Sequence, residues 1–159
     1  MRAAVVVVAC VAAANAALGA DLASPAGGST EPPPPWRVVG LPQQAKPLTR
    51  FTVVALDTQR VLRVEADHAY GNLVHPLKDV HAGTLAWRWR VDQAAAGADL
   101  RRKSGDDAAL KVCAFFDLPL AQVPFVERQL LRIASSRAGE KLPTATLCYV
   151  WDANLAQGT

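Results

Sequence analysis

Residues 85–91 read LAWRWRV, and this stretch decides the fold. Apolar side chains alternate with Arg88 and Arg90, which is the two-residue period of a β-strand with one dry and one wet face. Because the arginines share one face, we expect Trp87 and Trp89 to fill a core on the other. In the alternative interpretation, the two indoles form an exposed stacking platform for a sugar ring. The burial preference of tryptophan favours the core.

Further segments with a strand period lie on both sides of this stretch. The links between them are of hairpin length, which favours antiparallel pairing, since a parallel sheet needs a helix after nearly every strand. The sequence therefore predicts a mainly β fold, an antiparallel β-sandwich of jelly-roll type with one inserted helix. The predicted strands are residues 51–56, 61–66, 73–74, 85–91, 110–116 and 144–151.

The single predicted helix runs from Pro124 to about Ala138. Proline suits the first helical position, where its missing N–H donor costs nothing. Val126, Leu130 and Ile133 recur at helical spacing and share one face with Ala134. Such a face is typical of a helix that packs on a core.

The first twenty residues have the layout of an export signal. Arg2 is followed by an apolar run over residues 3–14 and then by small side chains, and the run is shorter than the roughly 20 residues of a membrane span. Residues 7–9 before Cys10 resemble a lipoprotein cleavage box, but too few residues precede them, so we favour a cleaved signal over a lipid anchor. We expect residues 1–20 to be removed and the mature protein to be periplasmic or secreted.

The remainder of the chain divides into a linker and one domain. Residues 21–35 are rich in proline and glycine, including the run Pro32 to Pro35, and are typical of an extended linker. Trp36 opens a folded domain over residues 36–159, a length that suits a single domain. No second apolar segment is long enough to cross a bilayer.

The charge and the motifs exclude several classes of protein. The formal net charge of +3 falls to +2 when Arg2 leaves with the signal, too little for a nucleic-acid-binding surface. The three histidines His68, His75 and His81 lack metal-ligand spacing, and no G-x-S-x-G motif is present. We therefore predict no catalytic residue, metal or cofactor from the sequence.

Cys113 and Cys148 lie in two predicted strands and allow two interpretations. In an oxidising compartment they can form a disulfide, which would stabilise the fold by about 4 kcal/mol in the chain-entropy model. Alternatively, they are two small buried thiols that act as core hydrophobes. The sequence leaves both open.

Two groups of charged residues are candidates for ligand contacts. Arg88 and Arg90 occupy the wet face of their strand, where a concave surface would bind an anion or a glycan. The simpler alternative is charge pairing across strands, worth at most about 1 kcal/mol. The other charged residues predicted to share this face are Arg63, Glu65 and Lys111.

The second group is the loop of residues 103–107, which ends in Asp106 and Asp107. Calcium needs six or more oxygen ligands, so a turn with local hydrogen bonds is the better interpretation of these two carboxylates. We take Arg88, Arg90, Asp106 and Asp107 as candidate ligand contacts in a non-enzymatic protein that binds a glycan or another envelope component. The alternatives are a polysaccharide hydrolase or lyase with these aspartates as acid and base, and a structural or assembly protein without a small ligand.

Several motifs together resemble a family of bacterial exported proteins known only as domain of unknown function 3047. The resemblance covers residues 36–159 and supplies no activity and no site residues. It implies that the domain continues beyond residue 159 into further strands and an acidic segment, so we expect an incomplete domain. The motifs are WR (36–37), TRF (49–51), LRVEA (62–66), LAWRWRV (85–91), GDDAA (105–109) and LPTATLCYVW (142–151).

Overall fold

The computed structural model describes residues 4–9, 24–77, 84–105, 108–138 and 142–156. The chain divides into two compact units, Met1–Ala98 and Asp99–Thr159. Short 3₁₀ turns lie at Lys103–Gly105 and Leu120–Gln122. The regular elements are β1 (Ala4–Ala9), β2 (Arg37–Val39), β3 (Arg50–Leu56), β4 (Gln59–Ala66), β5 (Asn72–Val74), β6 (Arg88–Val91), β7 (Lys111–Phe116), α1 (Phe125–Ala138) and β8 (Ala145–Val150).

A four-stranded antiparallel sheet in the order β3-β4-β1-β6 forms the first unit's main structure. Strands β3 and β4 form a hairpin that turns at Asp57, whose φ of 52° lies in the left-handed region that aspartate tolerates. Phe51 lies opposite Val64, and Val53 lies opposite Leu62. Directly opposite residues share a face, so these four side chains form the apolar side of the sheet.

Four of the most buried side chains among the described residues lie on this hairpin. Val53, Leu62 and Val64 are 4–6% exposed, and Val61 is 2% exposed. Val53, Leu62 and Val64 lie on the apolar side of the sheet, whereas Val61, opposite Val54, lies on the other side and is buried there as well. The core of the first unit is therefore centred on β3 and β4.

Part of the predicted linker packs against this hairpin. The Val53 N–H donates to the Thr30 carbonyl at 2.8 Å, and the Arg60 guanidinium donates to the Gly27 carbonyl at 2.8 Å. Pro25 is buried. Residues 24–31 are thus held by hydrogen bonds along the hairpin.

Strands β2 and β5 pair with each other in a separate two-stranded antiparallel sheet.

The second unit contains the ribbon β7–β8 and the helix α1. Lys111 lies opposite Val150, and Cys113 lies opposite Cys148. The prediction that Lys111 shares a wet face with Arg88 is therefore wrong, because β7 and β6 belong to different sheets. Sheet membership is a non-local property that the strand period does not encode.

The helix begins where the sequence predicts, but its apolar face is exposed. The Arg128 N–H donates to the Pro124 carbonyl at 2.9 Å, which closes the first turn. Val126, Leu130 and Ile133 are 66%, 61% and 52% exposed. They share a face, as predicted, and that face carries no packed core.

These elements confirm the predicted mainly β, antiparallel fold with one helix. The stacking of two sheets that defines a sandwich stays a prediction. The strand predicted at residues 85–91 is shorter, since β6 begins at Arg88. Trp87 and Trp89 are half-buried and meet edge to face with ring centroids 5.9 Å apart. Among the described residues, no helix is long and apolar enough to cross a bilayer.

Candidate functional site

One face of the four-stranded sheet is rich in arginine. Arg63 of β4 and Arg90 of β6 pair with the same residue, Val7 of β1, from its two sides. Residues opposite one another share a face, so both arginines lie on the side opposite to Leu62 and Val64. We call this side of the sheet the basic face. It carries Arg50, Arg63, Glu65, Arg88 and Arg90.

The prediction that Arg88 and Arg90 share a face with Arg63 and Glu65 is therefore correct for these four residues. The strands of a sheet lie about 4.8 Å apart, which places the backbones of Arg63 and Arg90 roughly 10 Å from one another across β1. Arg88 and Arg90 are neighbours on that face, two residues apart on one strand. The sheet thus concentrates positive charge along β6.

A cleft of about 340 Å³ lies at the end of β6 where Arg88 is found. Its walls are the β3–β4 turn, with Asp57 and Gln59, and the first residues of β6, with Arg88 and Arg90. Ala9, the last residue of β1, pairs with Arg88, so the cleft lies where β1 ends. This volume is at the lower end of the range of small-molecule sites. Its other lining residues are Leu56, Thr58, Val61 and Trp89.

The arginines of the basic face differ in their partners. The Arg90 Nε lies 2.7 Å from Asp92 Oδ1, and its Nη2 donates to Asp92 Oδ2 at 3.3 Å. Arg63 Nη2 lies 3.3 Å from Glu65 Oε1. The charge pairing that we considered as the alternative is thus present, but within strands. The Arg88 side chain is exposed, and its guanidinium makes no hydrogen bond or ion pair with any residue that the structure describes.

The Arg90–Asp92 contact orients the guanidinium, whereas Arg88 keeps its donors available. An exposed ion pair of this kind stabilises a protein by at most about 1 kcal/mol. The ion pair therefore affects the cleft mainly by fixing the position of the Arg90 guanidinium. Together the two side chains offer one fixed and one adaptable guanidinium to an anion.

The two remaining candidate contacts, Asp106 and Asp107, lie outside the described residues. The turn before them, Lys103–Gly105, belongs to the second unit, whereas Arg88 and Arg90 belong to the first. Sequence reasoning missed Asp57 and Gln59 as cleft residues. The sequence does predict a hairpin turn at these residues, but it does not show that β6 joins the same sheet.

Two aspartates organise the loops on either side of the β7–β8 ribbon in the second unit. Arg101 donates from Nε to Asp99 Oδ1 at 2.8 Å and from Nη2 to Asp99 Oδ2 at 3.1 Å, and this hydrogen bonding lowers the pKa of Asp99. Asp152 accepts backbone N–H groups from Asn154 at 2.5 Å and Leu100 at 3.2 Å, which lowers its pKa. Both carboxylates are therefore ionised at neutral pH. Asp152 joins Leu100 to the segment after β8, whereas Asp99 holds the loop of residues 99–102 internally.

No cluster of the described residues has the donors for a metal ion.

In the second unit the structure joins Cys113 and Cys148 by a disulfide with an Sγ–Sγ distance of 2.06 Å and a Cα–Cα distance of 4.1 Å. The two residues are directly opposite in the β7–β8 ribbon. Cys113 is half-buried and Cys148 is exposed, so the bond ties two strands at the surface.

Comparison with known proteins identifies a family without an assigned activity. Residues 34–159 match the family described as "Protein of unknown function (DUF3047)". No curated protein and no solved structure matches the chain. Because the match covers most of its length, the chain belongs to the DUF3047 family, which confirms the resemblance found in the sequence motifs.

Proposed function

We propose that this chain is an exported binding protein that holds an anionic glycan of the cell envelope with Arg88 and Arg90. The observation that carries the proposal is the placement of these two arginines on one face of a single short segment. The Arg88 side chain is exposed and has no partner among the described residues, and it stands two residues from Arg90, which Asp92 holds in place. The layout of residues 1–20 supports export.

The chemistry of the two arginines favours a carboxylate-bearing sugar. A guanidinium matches the geometry of a carboxylate with two parallel hydrogen bonds. Arg88 and Arg90 are two residues apart on a strand, so their Cα atoms are separated by about 7 Å, which suits a carboxylate and a neighbouring ring oxygen or hydroxyl.

The proposal is tested by affinity electrophoresis of the full chain. We expect gels containing polygalacturonate to retard the protein and gels containing neutral dextran to leave its mobility unchanged. The variant R88A/R90A should migrate in polygalacturonate as it does in dextran. The matched control is R37A/R132A, which removes the same charge from two exposed residues that are not among those lining the cleft.

Two results would overturn glycan binding at this site. One is equal retardation of both double variants, since that would reflect net charge alone. The other is unchanged mobility of the unmodified chain in polygalacturonate. Added salt should weaken a true interaction, because exposed charge pairs are screened within about 10 Å at 0.1 M ionic strength.

Export is tested separately by the mass of the protein recovered from cells. We expect the periplasmic or secreted form to lack residues 1–20, whereas the cytoplasmic precursor retains them. Recovery of a full-length chain outside the cytoplasm, with Arg2 still present, would count against a cleaved signal.

A further inference from the structure

One face of the β7–β8 ribbon carries the disulfide at the surface. Residues two apart on a strand share a face, so Lys111 and Phe115 flank Cys113 on the side where the bond lies. Lys111 is exposed, and Phe115 is 58% exposed. Directly opposite residues share the same face. This surface, which we call the disulfide face, lies within the second unit and carries Lys111, Cys113, Phe115, Thr146, Cys148 and Val150.

The bond spans a position of the ladder where the two backbones share no hydrogen bond. The Trp151 N–H donates to the directly opposite Leu110 carbonyl at 3.0 Å. Hydrogen-bonded and non-hydrogen-bonded pairs alternate along an antiparallel ladder, so the Cys113–Cys148 pair, three pairs further along, is non-hydrogen-bonded. Opening the disulfide therefore breaks no backbone hydrogen bond of the ribbon, and the ladder keeps the two sulfurs facing each other.

The two sulfurs differ in access and in charge. Cys148 is exposed and Cys113 is half-buried, so an external nucleophile reaches Cys148 more easily. Lys111 lies two residues before Cys113 on the same face, with about 7 Å between their Cα atoms. Its flexible four-carbon stem can bring the ammonium to the Cys113 sulfur, where a positive charge stabilises a thiolate. Cys148 is therefore the sulfur to be attacked, and Cys113 is the leaving group.

We infer that the Cys113–Cys148 disulfide is a thiol–disulfide exchange site, which a partner protein with two neighbouring thiols opens through Cys148. The site goes beyond the proposed glycan binding and does not rest on it. The charge of Lys111 attracts the partner's attacking thiolate, and the exposed ring of Phe115 offers the partner an apolar contact.

The exchange has two steps. The partner's first thiolate attacks the Cys148 Sγ, which forms a mixed disulfide and releases Cys113 as a thiolate that takes up a proton. The partner's second thiolate then attacks the partner's own sulfur in the mixed disulfide and releases Cys148, which is protonated in turn. Two electrons and two protons thus pass from the partner to this chain, and the partner is left with the disulfide.

The test is trapping of the mixed disulfide in the full chain with Cys10→Ala, which leaves only these two cysteines. The probe is thioredoxin with its second active-site cysteine replaced by serine, so that exchange stops after the first step. We expect a covalent complex under native conditions, with the bond mapped to Cys148 and with Cys113 labelled by iodoacetamide. The chain opened by dithiothreitol should keep its circular dichroism spectrum, because the ladder remains.

Two small thiols of opposite charge test the role of Lys111. We expect the ratio of the exchange rate of anionic mercaptoethanesulfonate to that of cationic cysteamine to fall about threefold at low salt in Lys111→Gln, the effect of charges about 7 Å apart in water. Lys111→Arg should retain the ratio. Lys46→Gln, which removes the same charge from an exposed residue outside the ribbon, should retain it too. Each ratio compares two reagents on one variant, so a change in folding affects both rates.

The aromatic contact has its own variant. Phe115→Ser should slow trapping by the protein probe and leave the rate of reduction by dithiothreitol unchanged, because the small reagent needs no docking surface.

Any of four results would overturn the inference. They are trapping only after unfolding in urea, a mixed disulfide mapped to Cys113, an unchanged ratio of thiol rates in Lys111→Gln, and loss of the dichroism spectrum when the bond opens. None of them depends on mobility in polygalacturonate, so the exchange site and the glycan site fail or stand separately.

Discussion

Replacing both cysteines of the β7–β8 ribbon by alanine should lower the stability of the second unit by several kcal/mol. The disulfide joins Cys113 to Cys148 across a sequence separation of 35 and encloses the helix α1 in the resulting loop. In the chain-entropy model, closing a loop of this length in the unfolded state is worth about 4 kcal/mol at 25 °C. That is a large share of the 5–15 kcal/mol that typically stabilises a domain.

The assay is urea unfolding of the oxidised chain and of C113A/C148A, followed by fluorescence and circular dichroism. We expect a lower midpoint for the variant and a steeper dependence on urea, since an unfolded chain without a cross-link exposes more surface. Reduced wild-type protein is the matched control, and its midpoint should coincide with that of the variant. A difference below about 1 kcal/mol, or two free thiols in denatured unreduced protein, would refute the reasoning.

Three further outcomes test the packing and the charges. Leu62→Ala should cost about 2–5 kcal/mol in urea unfolding, because the side chain is 5% exposed; a change below about 0.5 kcal/mol would contradict the proposed core. Because the pKa of Asp152 is lowered in the folded chain, its ionised form stabilises the fold at pH values above its ordinary pKa of 3.8. This stabilisation is lost as the pH falls through the lower pKa of the folded state. Asp152→Asn should therefore weaken the pH dependence of the unfolding free energy at acidic pH, and an unchanged dependence would exclude the contribution of Asp152. Leu130→Lys with Ile133→Lys should reduce self-association in light scattering and change the unfolding free energy by less than about 0.5 kcal/mol, since both side chains are mostly exposed; a large loss of stability would show that this face is packed.

The local features of the fold are the ones that the sequence predicts well. The hairpin of residues 51–56 and 61–66 appears as β3 and β4, and the helix begins directly after Pro124. Alternation along a strand and the geometry of a first helical turn are encoded within a few residues. The sequence predicts for the same reason that Arg63 and Arg90 each lie on the polar side of their own strand, whereas their common face also requires that β4 and β6 join one sheet.

What the sequence does not predict depends on distant pairing. The helical period shows that Leu130 and Ile133 share a face, but it does not show whether another element covers that face. A strand period likewise assigns Lys111 to a face without assigning β7 to a sheet. The sequence does not predict that Asp57 lines the cleft, because the cleft forms only where β6 joins the sheet of the β3–β4 hairpin through β1.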